Sequence, residues 1–236
     1  MSLIKLFPEV FHVEHLVKAN EIELKTLLRR GAEGLGVILS EEAVSRFMEY
    51  LKELKAWNRK VNLTAIEEER EIIIRHFLDS LTPYAFLEGA GRLLDIGAGG
   101  GFPGIPLKIA TPSMYVCLID SVSKKVHFMR HVIRKLGLVG IDAESVRAED
   151  LGFIEKNRGK FDVVTSRAFT ELTGFVEVAL PYLRPSGRII AVKGPSVAEE
   201  IAHLKDFPGI TGIETHRIKT PFSKRETTIV VIKKAE

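Results

Sequence analysis

Cysteine is almost missing from this chain: Cys117 is the only one in 236 residues. A single thiol excludes an internal disulfide and any cysteine-based metal cluster, and it suits a reducing compartment such as the cytoplasm. Long apolar runs are lacking too, for none approaches the roughly 20 residues that span a bilayer. Met1 to Glu9 has neither the basic start, the long apolar stretch nor the small-residue cleavage site of a signal peptide. An excess of one charge is also absent: 34 Lys and Arg stand against 31 Asp and Glu, and a net +3 argues for no nucleic-acid partner by itself. The histidines are scattered, and His127 and His131 have no third ligand nearby, so no metal site is expected. What remains is the composition expected of a soluble cytoplasmic protein that buries its core without staples, and nothing in it demands more than a monomer.

The patterning divides the chain. Residues 1–88 predict a helical N-terminal region packed on the rest. Ser40 reads as an N-cap ahead of Glu41 and Glu42, and Val44, Phe47, Met48, Leu51 and Leu54 recur at helical spacing. That periodicity dissolves after Trp57-Asn58, and a further helix is expected from about Glu67 to Leu81. Residues 89–236 alternate short apolar strands with helices, which predicts a mostly parallel sheet covered on both faces. A strand Arg92–Ile96 meets a glycine-rich turn, and Tyr115–Ile119 ends at Asp120. A helix Val122–Leu136 has Val122, Val126, Met129, Ile133 and Leu136 facing inward. Strands at Ala143–Val146, Phe161–Thr165 and Gly187–Val192 follow, and the last two, near Ile213–Lys219 and Thr227–Ile232, are too close for a crossover helix. They form an antiparallel hairpin at one edge. The expected class is α/β, a doubly wound Rossmann-like sheet of seven strands with a helical N-terminal extension.

The turn Leu94-Asp95-Ile96-Gly97-Ala98-Gly99-Gly100-Gly101-Phe102-Pro103-Gly104 is the strongest local signal. Glycines after a first strand let a ligand approach the main chain closely. Gly99 to Gly104 matches the dinucleotide pattern G-x-G-x-x-G, a weak match by itself. Pro103 and Pro106 remove amide donors where a pyrophosphate needs a helix N-terminus. Asp95 fits a ligand bearing a positively charged amino group better than one bearing two phosphates. S-adenosylmethionine, released as S-adenosylhomocysteine, meets both conditions. Asp95, Gly97, Ala98, Gly99, Gly101 and Phe102 are therefore cofactor candidates. Asp120, with Ser121 beside it, is placed to accept ribose hydroxyls, or else is an acid at a helix N-terminus. Ala148 and Glu149 lie on a loop that either flanks an adenine or is plainly polar.

Several separated segments are more particular. Trp57-Asn58-Arg59-Lys60-Val61-Asn62-Leu63-Thr64, His76-Phe77-Leu78-Asp79-Ser80-Leu81, Leu94 to Pro106, Asp120-Ser121 with Lys124-Lys125, Ser166-Arg167-Ala168-Phe169 and Lys193-Gly194 occur in one order across roughly residues 25–232. In this the chain resembles the bacterial 16S ribosomal RNA guanine-N7 methyltransferases (the RsmG/GidB family), within the class I methyltransferases. The first twenty or so residues look like an extension.

The resemblance implies methyl transfer from S-adenosylmethionine to N7 of a guanine in small-subunit ribosomal RNA, free or in an assembling 30S subunit. The residues agree with that chemistry. After the fourth strand, Thr165-Ser166-Arg167-Ala168-Phe169 lacks the polar-Pro-Pro-aromatic loop that methylation of an exocyclic amine requires. Cys117, inside an apolar strand, is no nucleophile for a pyrimidine carbon. Guanine N7 already carries an unprotonated lone pair, so it needs placement and no general base. Arg167 is the leading candidate for positioning the base, by donating to guanine O6 or a phosphate, against a plain surface arginine, and it is a cofactor candidate as well. Lys193, at a strand end, and His76, paired with Asp79 on one helical face, join it as substrate-positioning candidates. Asn58, Asn62 and Thr64 sit on a loop able to close over the cofactor, with Trp57 as its anchor. Lys60, Lys124, Lys125, Arg130 and Arg134 are candidates for RNA phosphate, against a solvated basic face. The competing expectations are a methyltransferase for a small molecule or protein, a non-catalytic nucleotide- or RNA-binding module, and an NAD-dependent oxidoreductase.

Overall fold

The computed structural model describes residues 8–167, 169 and 171–236; Met1 to Phe7, and Ala168 of the Ser-Arg-Ala segment, lie outside them. The chain opens with α1 (Pro8–Glu33) and α2 (Glu41–Val61). Local chemistry sets the limits of α2. Ser40 Oγ accepts the Ala43 N–H at 3.1 Å, and Asn62 at φ 52° closes the helix in the left-handed conformation. Asn58, Arg59 and Lys60 thus continue the helix whose apolar periodicity dissolves after Trp57-Asn58. Only the apolar face stops there, because the last turn projects beyond the core.

Three contiguous pieces follow: α3 (Glu69–Ile72), a π-helical stretch (Ile73–Leu78) and α4 (Asp79–Leu81). One α-helix from about Glu67 is expected there. The start is shifted because the Glu68 carboxylate accepts the Arg70 and Glu71 N–H groups. The π-helical widening falls on His76, and such distortions gather at functional sites.

The strands β1 (Arg92–Ile96), β2 (Tyr115–Asp120), β3 (Ile141–Ser145), β4 (Phe161–Ser166), β5 (Leu183–Lys193), β6 (Ile210–Lys219) and β7 (Glu226–Lys234) make one seven-stranded sheet, ordered β3-β2-β1-β4-β5-β7-β6. The first five strands pair in parallel, and β7 is antiparallel to both β5 and β6. The hairpin therefore lies at an edge, as its short connection requires, with its second strand innermost. Helices α5 (Gly104–Ala110), α6 (Ser123–Lys135), α7 (Leu151–Asn157), α8 (Leu172–Ala179) and α9 (Ala198–Ala202) connect the strands. The sequence pattern misses α7, whose seven residues follow Asp150; its carboxylate accepts the Phe153 N–H at 2.8 Å. It also misjudges Val122, which is 44% exposed because α6 begins one residue later; Phe128 and Val132 are buried instead.

Strand alternation sends successive side chains into two separate cores. Leu93, Val116, Leu118, Val163 and Ile190 pack with α1, α2, the π-helical segment and α6. Leu94, Cys117, Ile119, Val164 and Ile189 pack with α7 and α8. Each such fully buried aliphatic side chain contributes about 1.5–3 kcal/mol. Cys117, with its thiol pushed up to about 12 by burial, is a core residue as expected. Among the described residues, no helix is long and apolar enough to cross a membrane.

Candidate functional site

The strand order reverses between β1 and β4, so the crevice beyond their carboxyl ends is where a doubly wound sheet binds its ligand. Ser166 Oγ bridges this point by donating to the Ile96 carbonyl at 2.7 Å. The glycine turn sits directly above.

Its glycines divide by role. Gly97 and Gly99 are half exposed, with φ 70° and 59°, and a Cβ on Gly99 would meet nothing closer than 3.9 Å. Gly99 thus leaves open space at the turn. Gly101 and Gly104 are buried in close packing. A Cβ on Gly101 would lie 2.4 Å from Ile105 Cδ1, and one on Gly104 would lie 2.3 Å from Leu118 Cδ2. Ala98 and Phe102 are buried beneath the turn. Phe102 stacks on Tyr50, whose hydroxyl donates to the Gly100 carbonyl. The N-terminal helices thus form the floor of the turn.

Asp95 is fully buried. Its Oδ2 accepts the Gly104 N–H at 2.8 Å, while Oδ1 has no partner. Burial pushes its pKa up to about 7, with Asp120 adding to the rise and the Gly104 amide and Arg167 opposing it. An orphaned carboxylate oxygen beneath the turn matches the ammonium of S-adenosylmethionine, so these residues fit that cofactor. Asp120 performs a structural task whatever else it does. Oδ2 accepts the Gly99 N–H at 2.9 Å and Oδ1 the Val122 N–H at 2.8 Å, tying the two loops together. Each oxygen keeps a lone pair for a hydroxyl. Ser121 and Glu149 are exposed on the same rim, whereas Ala148 is buried and its carbonyl accepts the Tyr182 hydroxyl.

Beside the turn, segments far apart in sequence converge on Arg167. Its NH1 donates to Ser80 Oγ at 3.0 Å, Asp79 Oδ2 at 3.2 Å and the His76 carbonyl at 3.5 Å. NH2 reaches His76 Nδ1 at 3.3 Å. A guanidinium only donates, so Nδ1 accepts and Nε2 carries the ring proton toward Thr64 Oγ1, 2.6 Å away. Burial, then Arg167 and Arg75, hold the imidazole neutral with its pKa lowered to about 3. Asn58 fixes Thr64 from both sides, donating to its carbonyl and accepting its N–H, each at 2.8 Å. His76 stacks on Phe102 with centroids 4.8 Å apart, and the Arg167 guanidinium carbon lies 5.3 Å from that ring's centroid. The network therefore touches the glycine turn itself.

On its other side, His76, Asp79 and Arg167 wall a cleft of about 650 Å³, shared with Arg75, Lys193 and the β6–β7 turn. Lys193 is engaged there, 2.7 Å from Glu200 and donating to the Phe169 carbonyl at 3.2 Å. Sequence reasoning had no signal for the buried threonines of the hairpin. Thr227 donates to Asp79 Oδ1 at 2.8 Å, and Thr220 reaches the same oxygen at 3.5 Å.

Other candidates are not brought to this cleft. Asn62 spends its conformation on ending α2 and is exposed. Trp57 packs against Phe128 and His131 as an anchor. Lys124 and Lys125 lie in the first turn of α6, on the rim beside Asp120. Arg130 and Arg134 lie farther down that helix, with Arg130 donating to the Ala143 carbonyl of edge strand β3. The basic face is thus divided. Lys60 is exposed on the last turn of α2.

Sheet order, glycine turn and buried acid together define the class I methyltransferase fold. Solved structures agree on the fold. A putative O-methyltransferase from Klebsiella pneumoniae superposes with TM-score 0.55 at 17% identity, covering 79% of this chain and 90% of that one. A predicted O-methyltransferase from Agrobacterium tumefaciens gives 0.54 at 20%, covering 68% and 80%. The family model described as rRNA small subunit methyltransferase G matches residues 43–229, and the chain belongs to that family. Ribosomal RNA small subunit methyltransferase G of Geobacter sp. (strain M21) is 47% identical over 182 residues, 77% of this chain and 83% of that one. Its counterpart in Alkaliphilus oremlandii is 38% identical over 218 residues, 90% and 91% of the two chains.

Proposed function

We propose that this protein transfers the methyl group of S-adenosylmethionine to N7 of a guanine in 16S ribosomal RNA, acting as a cytoplasmic monomer on the small-subunit RNA or its assembling particle. The observation that carries the reading is the convergence of Asn58, Thr64, His76, Asp79, Ser80 and Arg167 into one network. It lies between the Phe102 side of the glycine turn and a cleft rich in cations.

The cofactor supplies an electrophilic methyl group. The chain holds it through the bare backbone of Gly97 and Gly99, the Asp95 carboxylate, and the rim formed by Asp120, Ser121 and Glu149. What remains is to place a base edge-on. Guanine N7 is an unprotonated acceptor with O6 beside it, and a guanidinium fixed in one orientation donates to that edge while leaving N7 in line. Arg167 is fixed in this way, and Lys193 faces the same cleft. His76 is neutral with both ring nitrogens engaged, so it orients Arg167 and removes no proton. A reaction that needs no general base fits a site whose imidazole is held unprotonated at Nδ1 only to accept from an arginine.

Methyl transfer to ribosomal RNA purified from a strain lacking the protein tests this. After digestion to nucleosides, the label should appear in 7-methylguanosine. Label found only on free small molecules, or in another nucleoside, overturns the assignment.

A further inference from the structure

The turn between β6 and β7 is more elaborate than a hairpin needs. Thr220 and Thr227, at its two ends, both point their hydroxyls at Asp79 Oδ1. Pro221 packs over the end of α1, so that a Cβ on Gly34 would lie 3.5 Å from its Cγ. The Ser223 N–H returns to the Thr220 carbonyl at 3.1 Å. A turn clamped at both ends holds its tip in one place at the edge of the cleft that Arg167 walls: Thr220 and Ser223 line that cleft, and Phe222 stands just outside its lining.

At that tip stands Phe222, with φ 61° and 48% exposed. The left-handed region disfavours a bulky residue, where glycine or asparagine sits at lower cost. Burial does not explain the aromatic ring either, since half of the residue faces solvent. Neither backbone preference nor core packing accounts for a phenylalanine here. Its surroundings are cationic: Arg217, Lys219, Lys224 and Arg225 outnumber the single carboxylate, Glu226, between residues 217 and 226. Among the described residues none of the four cations lies within an ion pair. Ser223, Lys224 and Arg225 line the cleft that Arg167 walls.

We infer that this turn is a stacking finger for an unpaired RNA base next to the methylated one, with Phe222 as the platform and Lys224 on the adjoining phosphate. An exposed aromatic ring on a turn flanked in sequence by cations outside any ion pair suits single-stranded RNA: the ring takes any base face, and the cations follow the backbone. The clamp on Asp79 gives the finger a fixed distance from the guanidinium that orients the target. The inference rests on the RNA-methyltransferase reading above.

Steady-state methylation of the undermethylated ribosomal RNA separates the two. Phe222→Ala should raise KM for RNA about tenfold, the scale of one stacked base, with the effect on KM rather than kcat, while Phe222→Trp keeps the parental value. Phe222→Gly should raise KM equally although its Tm holds or rises, because it relieves the left-handed backbone. An unchanged KM in the Ala and Gly variants overturns the finger alone. Absence of transfer to ribosomal RNA by the parent protein overturns the RNA reading and the finger with it.

Discussion

The Arg167 guanidinium lies 3.2 Å from the Asp79 carboxylate, and the other oxygen of that carboxylate holds Thr227 of the C-terminal hairpin at 2.8 Å. One side chain of the helical region thus fixes both the arginine at the switch point and the edge of the cleft.

Asp79→Asn should therefore lower kcat while leaving the affinity for S-adenosylmethionine within about twofold. A misplacement of an ångström in a positioning group costs up to about a hundredfold in rate. Single-turnover methylation and calorimetry on one preparation measure both quantities. Loss of cofactor affinity in step with kcat would show general damage to the site instead.

His76 gives a pH signature of stability. Its pKa is lowered to about 3 in the folded protein, so between the ordinary value and that level the unfolded chain binds the extra proton. Its contribution is fully present above about pH 6.5 and is lost as pH falls toward 3. Denaturant midpoints of the parent and of His76→Gln should converge as the pH is lowered through that window. A constant gap between them would remove His76 as the titrating group.

Asp95 works in the opposite sense. Its pKa is raised to about 7, so in the absence of ligand the folded chain prefers the protonated acid, and stability from this group is lost as pH rises through 7. An ammonium placed at the unpartnered Oδ1 requires the ionised form. Below that pKa, affinity for S-adenosylmethionine should consequently rise about tenfold for each unit by which pH increases, and level off above it. Asp95→Asn should bind weakly and without the rise; calorimetry across that range checks both.

Gly104→Ala should destabilise the protein by about 1–3 kcal/mol, as overpacking does, because the new Cβ meets Leu118 at 2.3 Å and the Asp95 carboxylate at 2.9 Å. Urea unfolding measures this. Cofactor binding should fall as well, since Asp95 must move.

Replacing Lys124 and Lys125 together with Ala should flatten the salt dependence of RNA binding by about two counterions' worth of slope. The pair Arg130 and Arg134, farther down α6 and beside β3, should have less effect. Filter-binding titrations over a range of salt concentrations read the slopes; equal effects from the two pairs would contradict the division of this face.

The sequence by itself determined which segments become strands, since short, nearly continuous apolar runs are local signals, as is the Ser40 cap for α2. It also determined where the glycine turn falls, because Gly97, Gly99 and Gly101 adopt positive φ, which favours glycine whatever surrounds it. Helix limits were less legible wherever the deciding group was a carboxylate cap (Glu68, Asp150) or a π-helical widening. Only the tertiary structure decided which glycines leave open space and which pack against Leu118 and Ile105. It alone showed that Asn58, Thr64, His76, Asp79, Ser80 and Arg167 are one network. Those residues lie up to 109 positions apart, from Asn58 to Arg167. The partners of a guanidinium are chosen by how strands and helices stack, a property that no local spacing encodes. Asn62, Thr220 and Thr227 show the same limit: short polar side chains read alike in sequence, and only packing tells a helix terminator from an anchor for Asp79.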